Sequence, residues 1–450
     1  MANINSMQRV EIFPSNRSSN NNTWSYRNGN PTLIFNFGVQ DRYLLSDTLR
    51  LNCTVVVKTA AGGYPNNDRQ AGVEAADPAE IEVRQNDKIG YSSVFQSITL
   101  SNALNQNLEY VRSFPRLLAS VIPARANFED YATILQQQFG ATSNKEANGM
   151  INNRQFEVSQ PILCGMFLQG EAIPLGKNGT GGLQIKLQLA PSIEANFGAN
   201  GAGTYYEIYN PSLTCGMGVP PGGVLPKISA YPYLNYQSFY NVLNTSDETH
   251  NLQMGLSSVL NVFSNFVPTV WIANSTQDGN QTPNLQNGAT IAGGAPKDAP
   301  ISRYTALRGG LKYPYQFTVD ERRLITRSAA GVEEANFQSQ LCRNFLSAIS
   351  SPIKDLTQTL TGNISEKTTA AGATPPVADQ HYNSQGENVI GLGIRYDQMG
   401  IGDGANFKNR TFSHRIQSSL NGVSPNSIYT FALAKNMISF NDMGGIAVAN

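Results

Sequence analysis

Polar and apolar residues alternate along much of this chain. In "TLRLNCTVVVK", residues 48–58, Leu49, Leu51, Cys53, Val55 and Val57 share one parity, and Arg50, Asn52 and Thr54 share the other. In "LQIKLQL" Leu183, Ile185, Leu187 and Leu189 alternate with Gln184, Lys186 and Gln188. A period of two predicts strands with one face on a core and one face in water. Shorter candidates are "LIFNFGV", "IEVR", "SVFQSITL", "PILCGMFL", "YYEIYN", "VFSNFVPTVWI", "KYPYQFTV", "VIGLGIRYD", "FSHRIQ" and "IYTFALA". Helical patterns between them are scarce, so antiparallel sheet is the expected class. Two helices are predicted. One covers 127–139, capped by Asn127, with Phe128, Tyr131, Ile134 and Leu135 on one side; the other covers 333–349, with Phe337, Leu341, Phe345 and Ile349 four residues apart. Each follows an Arg-bearing stretch, "YVRSFPRLL" and "DERRLITR", in what reads as a weak internal repeat.

The stretch "GMGVPPGGVLPKIS", residues 216–229, is rich in proline and glycine and is expected to hold no regular element. It divides the chain into two mostly β halves, and the resulting domains are an amino-terminal arm 1–30, a first sandwich 31–215, the connection 216–229 and a second sandwich 230–450. Long polar segments at 58–80, 273–300 and 363–388 are expected as contact-forming or exposed loops.

Composition narrows the function. Of 450 residues 40% are hydrophobic, enough for a large core, while only 14% are charged. The 32 basic and 32 acidic residues balance to zero, and no polybasic arm is present, which argues against phosphate-driven nucleic-acid binding. An uncharged polar surface has little long-range repulsion and suits close packing against neighbours. Cys53, Cys164, Cys215 and Cys342 lie far apart in no metal-ligand spacing and are expected as buried free thiols. The opening "MANINSMQRV" is polar where a secretory signal is apolar, and "SVLNVFSNFVPTVWIA" is broken by Asn261, Ser264 and Asn265. Synthesis in a reducing cytosol, without a membrane span, is expected.

Candidate chemistry is thin. In "GKNGTGG" Lys177 precedes the glycines and a strand follows, whereas a phosphate loop ends in GK[ST] and opens a helix, so a turn is expected. His250 and His381 fall in polar loop contexts and His414 in a strand-like run; surface histidines are expected, with no Ser–His or Cys–His arrangement. Glu333 and Glu334 read as first-turn helix charge. The run Asp397–Gly404 reads as a turn, lacking the alternating ligands of a calcium loop. The aromatic stretch "YPYLNYQSFY" contains no basic residue and reads as packing. No catalytic, cofactor-binding or metal residue is assigned, and the chain is not expected to be an enzyme.

Several stretches together resemble double jelly-roll major capsid proteins of polinton-like viruses and virophages. "QGEAIPLGKNGTGGLQIKLQLA" and "TYYEIYNPSLTCG" resemble late strands of the first jelly roll. "IFPSN", "NPTLIFNF" and "YLLSDTLRLNCTVVV" resemble its opening, and "SSVLNVFSNF" and "GGLKYPYQFTVDE" resemble the second. The resemblance implies an all-β fold of two consecutive eight-stranded antiparallel jelly rolls with short helices in loops. It implies a structural protein of a tailless icosahedral double-stranded DNA virus, synthesised in the host cytoplasm and located in the virion. Expected partners are two further copies in a pseudo-hexameric homotrimer, neighbouring trimers, and penton and minor capsid proteins. An internal membrane is a further candidate contact, and sequence-specific nucleic acid is not expected. The alternative is a viral attachment or carbohydrate-binding β-sandwich protein.

Overall fold

The strongest alternating run forms the centre of one sheet. In the computed structural model, which describes residues 4–17, 23–58, 89–125, 138, 155–190, 205–244, 247–268, 315–323, 389–393, 404–417, 426–440 and 446–449, strand β4 (Tyr43–Lys58) buries Leu49, Leu51, Cys53 and Val55 on one face. It lies between β7 (Gln155–Pro161) and β10 (Tyr205–Val219), all antiparallel. β1 (Ser6–Ile12) and β2 (Thr23–Trp24), from the segment expected as an arm, pair with β10, while β8 (Ala172–Pro174) pairs with β4. All six strands come from the first half of the chain.

A second sheet has nine strands and draws on both halves. From the first come β3 (Thr32–Phe37), β5 (Phe95–Asn102), β6 (Asn107–Val111) and β9 (Leu183–Leu189). From the second come β11 (Ala230–Leu243), β13 (Val259–Pro268), β16 (Val389–Gly393), β18 (Asn426–Phe440) and β19 (Ile446–Ala449). The two sets meet at β6 and β11, which run parallel with Tyr110 opposite Gln237. A third sheet, order β12 (Asp247–Leu252), β17 (Phe412–Gln417), β14 (Tyr315–Val319) and β15 (Arg322–Arg323), belongs to the second half.

In the first half the six-stranded sheet faces β3, β5 and β9 across a single apolar core. Phe35, Ile98, Leu100, Ile185 and Leu187 meet Leu51, Val55, Ile208 and Leu213 within it. This is the face-to-face packing that alternating strands require. Tyr206 crosses the layers, its hydroxyl donating to the carbonyls of Val94 and Ala190.

Two sequence expectations need correction, and one helix lies where the pattern predicted none. "PILCGMFL" is not a strand: β7 ends at Pro161 and a short helix, Gly165–Leu168, follows. Gly216–Val219, the start of the stretch expected to hold no regular element, is the end of β10, because β1 and β4 pair with it on both sides; tertiary pairing overrides propensity here. "YVRSFPRLL" opens helix α1 (Phe114–Arg125), whose Phe114, Leu117, Leu118, Val121 and Ile122 are buried at helical spacing. Pro115 occupies its first turn, where a missing N–H costs nothing. The Gly165–Leu168 helix is α2 below. The predicted helices 127–139 and 333–349, "IEVR" and the loops 273–300 and 363–388 lie outside the described residues, apart from Gln138, which accepts from Arg50.

Candidate functional site

Among the described residues, a cluster of buried polar contacts lies at the joint between the halves. On β6, Glu109 has the parity of buried Val111 and points inward, leaving it 2% exposed. Its Oε1 accepts the backbone N–H of Gly165 at 2.8 Å and of Tyr236 at 2.9 Å, and its Oε2 accepts that of Met166 at 3.1 Å. Two donors are otherwise orphaned amides at the start of α2; the third is on β11 of the other half. Burial pushes the carboxyl up, the three amides pull it back, and it settles at about 7. The Cys164 side chain adds a weaker hydrogen bond, so the carboxylate is held mainly by backbone dipoles and not by a cation.

Around it the joint is close-fitting. A Cβ on Gly165 would lie 2.7–2.9 Å from the backbone atoms of Asn235, so only glycine lets α2 lie on β11. Gln169, just after α2, donates to the Tyr231 hydroxyl at 2.8 Å and accepts from Leu234 N–H at 3.0 Å. Tyr233 Oη and Asn235 Nδ2 both donate to Leu108 O, at 3.1 and 3.4 Å. Arg112 N–H donates to Ser238 Oγ, and the Arg116 guanidinium lies 4.7 Å from the Tyr429 ring centre. Chemically this arrangement fixes one half against the other; the Cys164 thiol beside Glu109 is fully buried, and burial and the neighbouring carboxylate push it well above its ordinary range.

The glycine-rich loop is a turn. Gly179, Thr180, Gly181 and Gly182 donate their amides to Gly176, Pro174, Gly176 and Leu175, and Thr180 Oγ1 also bonds Pro174 O. Those N–H groups point into the chain and leave none of the four for a phosphate. Gly182 adopts φ +91°, and a Cβ there would lie 2.8 Å from Phe37 O, so glycine starts β9 in register with β3.

Cys53, Cys164 and Cys215 are buried free thiols, with burial pushing Cys53 up to about 12 and Cys215 to about 11. The histidine expectation is overturned for two residues. His250 is not in a loop but on β12, half-buried, and His414 on β17 is buried; the strands place them opposite each other. The polar run "DETHNL" becomes a strand through its pairing with β17, which a local pattern does not reveal. His381, Cys342, Glu333, Glu334 and Asp397 lie outside the described residues. Among the described residues no group of three or more His, Cys, Asp or Glu is placed to hold a metal, and no helix is long and apolar enough to cross a membrane.

Sequence reasoning missed Glu109. Its signal was an acidic residue at an inward position of "NLEYV", between Leu108 and Tyr110.

No protein-family model matches the chain, and no curated protein sequence does. Solved structures match throughout its length. PBCV-1 VP54, fitted into a reconstruction of the virophage Sputnik, aligns with TM-score 0.55 and 12% identity over 100% of this chain and 98% of its own. The cryo-EM structure of the Sputnik virophage aligns with TM-score 0.55 and 11% identity, over 100% and 89%. The mavirus major capsid protein aligns over 98% and 89%, with TM-score 0.49 and 10% identity. The structural neighbours are double jelly-roll major capsid proteins. This chain has the double jelly-roll fold. Each half of the chain supplies one sheet of its own and part of the shared nine-stranded one, and the Glu109 joint lies where the two halves meet.

Proposed function

We propose that this double jelly roll is a major capsid protein, a structural and non-enzymatic subunit of an icosahedral virion that associates with copies of itself. The observation that supports this reading best is the match to VP54 over all of this chain and nearly all of that one, together with a joint that makes two rolls one block. A shell tile must keep its shape when neighbours push on it, and a block clamped by buried backbone contacts does so without a ligand. Three such chains, each contributing two rolls, form a pseudo-hexameric trimer, and trimers tile through weaker repeated contacts, with penton and minor capsid proteins as further partners. The rolls span 31–215 and 230–450, and the connection 216–229 begins with the last four residues of β10. The low charge of the chain, 14% with a net of zero, leaves little repulsion between copies.

The test is a mass measurement of the purified protein paired with negative-stain imaging. A particle of three 48.8 kDa chains with a six-lobed outline is expected. A monomeric mass at micromolar concentration overturns the trimer.

A further inference from the structure

Two of the three histidines of this chain face each other inside the outer sheet of the second roll. β12 and β17 pair antiparallel with His250 in register with His414, and Phe317 of β14 is the register partner of His414 on the other side. Directly opposed residues share a face with Cβ atoms about 4.5–5.5 Å apart. His414 is 1% exposed and His250 half-buried. The next pair on that face, Leu252 and Phe412, is buried, and Phe407 packs on Phe412 with ring centres 5.2 Å apart. Neutral imidazoles fit such a face; an imidazolium loses its hydration and meets a second ring that is itself basic.

The charged and titratable groups around the pair are few among the described residues. Glu248 lies on the same face of β12 two residues from His250, and its carboxylate accepts Asn244 N–H at 2.8 Å. Arg415 is exposed and has the opposite parity on β17. In the strand register Tyr315 of β14 stands opposite Ile416, two positions from His414, and β15 is Arg322–Arg323; between these strands Asp320 lies 3.6 Å from Arg410. Burial, then the neighbouring imidazole, pushes His414 down to about 3; burial also lowers His250, with Glu248 pulling the other way.

We propose that the His250–His414 pair is an acid-sensitive latch: with both rings neutral β12 stays on β17, and proton uptake by either ring releases this sheet while the first roll holds. The sign follows from linkage. A histidine depressed in the closed sheet binds fewer protons there than in the open one, so its contribution is present above pH 6.5 and is lost as pH falls below it. From His414 alone, the open-to-closed ratio rises about thirtyfold between pH 7.5 and pH 5. The latch does not depend on the capsid reading, since it operates within one chain.

Hydrogen exchange of the full-length protein, followed by mass spectrometry in chelator-containing buffer at pH 7.5, 6.5 and 5, tests this. Protection factors corrected for intrinsic exchange are expected to fall at least tenfold at 247–252 and 412–417 by pH 5, and to hold at 32–37 and 183–189 in the first roll. In H414F the protection of β12 and β17 is expected to persist at pH 5. Should H414F not fold, H250F decides, with a shallower loss than the wild type expected. Equal wild-type protection at pH 7.5 and 5, or variants that lose protection as steeply as the wild type, overturns the latch.

Discussion

Glu109 and Glu207 stand on strands of the same roll, and the two sites handle a negative charge in opposite ways. Glu207, on β10, meets Lys58 Nζ at 2.6 Å, receives the Tyr209 hydroxyl at 2.5 Å and accepts from Asn28 Nδ2 at 3.1 Å. Burial pushes its carboxyl up, but these hydrogen bonds outweigh burial and hold it below its ordinary range. Glu109 has amides where Glu207 has a cation, and there burial prevails. The contrast shows what each arrangement is for. A side-chain ion pair at a strand end tolerates movement, because Lys58 can follow its partner. Three backbone amides from two rolls satisfy one carboxylate only while the rolls keep their relative position.

The sharpest way to break that contrast is Glu109→Ala, which strands three buried amides and leaves a void. An apparent loss of about 3–5 kcal/mol is expected from urea midpoints, with Glu109→Gln, which keeps an acceptor, losing less. Next in size is a pH effect. Glu109 sits at about 7 in the folded chain against an ordinary 4.5, so the folded state binds more protons between these values. Its stabilising contribution is complete below pH 4.5 and is lost as pH rises through 7. Relative to Glu109→Gln, the wild type should gain about 2 kcal/mol on going from pH 8 to pH 5; a flat difference between the two titrations would count against a buried ionisable joint. Gly165→Ala comes third, at about 1–3 kcal/mol, because the new methyl group must push α2 off Asn235; its thermal midpoint falls, and the Tyr236 amide exchanges faster. The smallest change belongs to the other site. Lys58→Met should cost about 1 kcal/mol by urea midpoint, since Glu207 keeps the Tyr209 hydroxyl and Asn28 Nδ2 as donors after the ammonium is gone.

What the sequence revealed divides along the same line. β4 and β9 were legible because one face is wet, so core and solvent write an alternating pattern directly into Leu49–Val57 and Leu183–Leu189. "PILCGMFL" was not, because an unbroken apolar run fits a strand or a buried helix equally well; the choice is made by Glu109, more than fifty residues away, which binds the first amides of α2. β12 was hidden for a related reason: "DETHNL" carries no apolar alternation and owes its extended form to β17. The joint itself combines Glu109, Gly165 and Tyr236, three unremarkable residues in separate segments. Local patterns report what faces water; they do not report which distant amide a carboxylate will meet. The resemblance to double jelly-roll capsid proteins recovered the architecture that the pattern alone left as a generic pair of sandwiches.

The pairing of β11 with β18 has a consequence for the order in which a growing chain can fold. Once Val219 has left the ribosome, every described strand of the first roll exists and its core can close. β11 then appears with a single register contact to β6, through Tyr110, while Tyr236 waits for Leu433, its partner on a strand still to be translated. During that interval the nascent molecule is a finished roll carrying one long aromatic-rich strand with an open hydrogen-bonding edge. Such an edge is open to mispairing with any nearby strand, and it closes only when Asn426–Phe440 arrives to pair along the whole of β11.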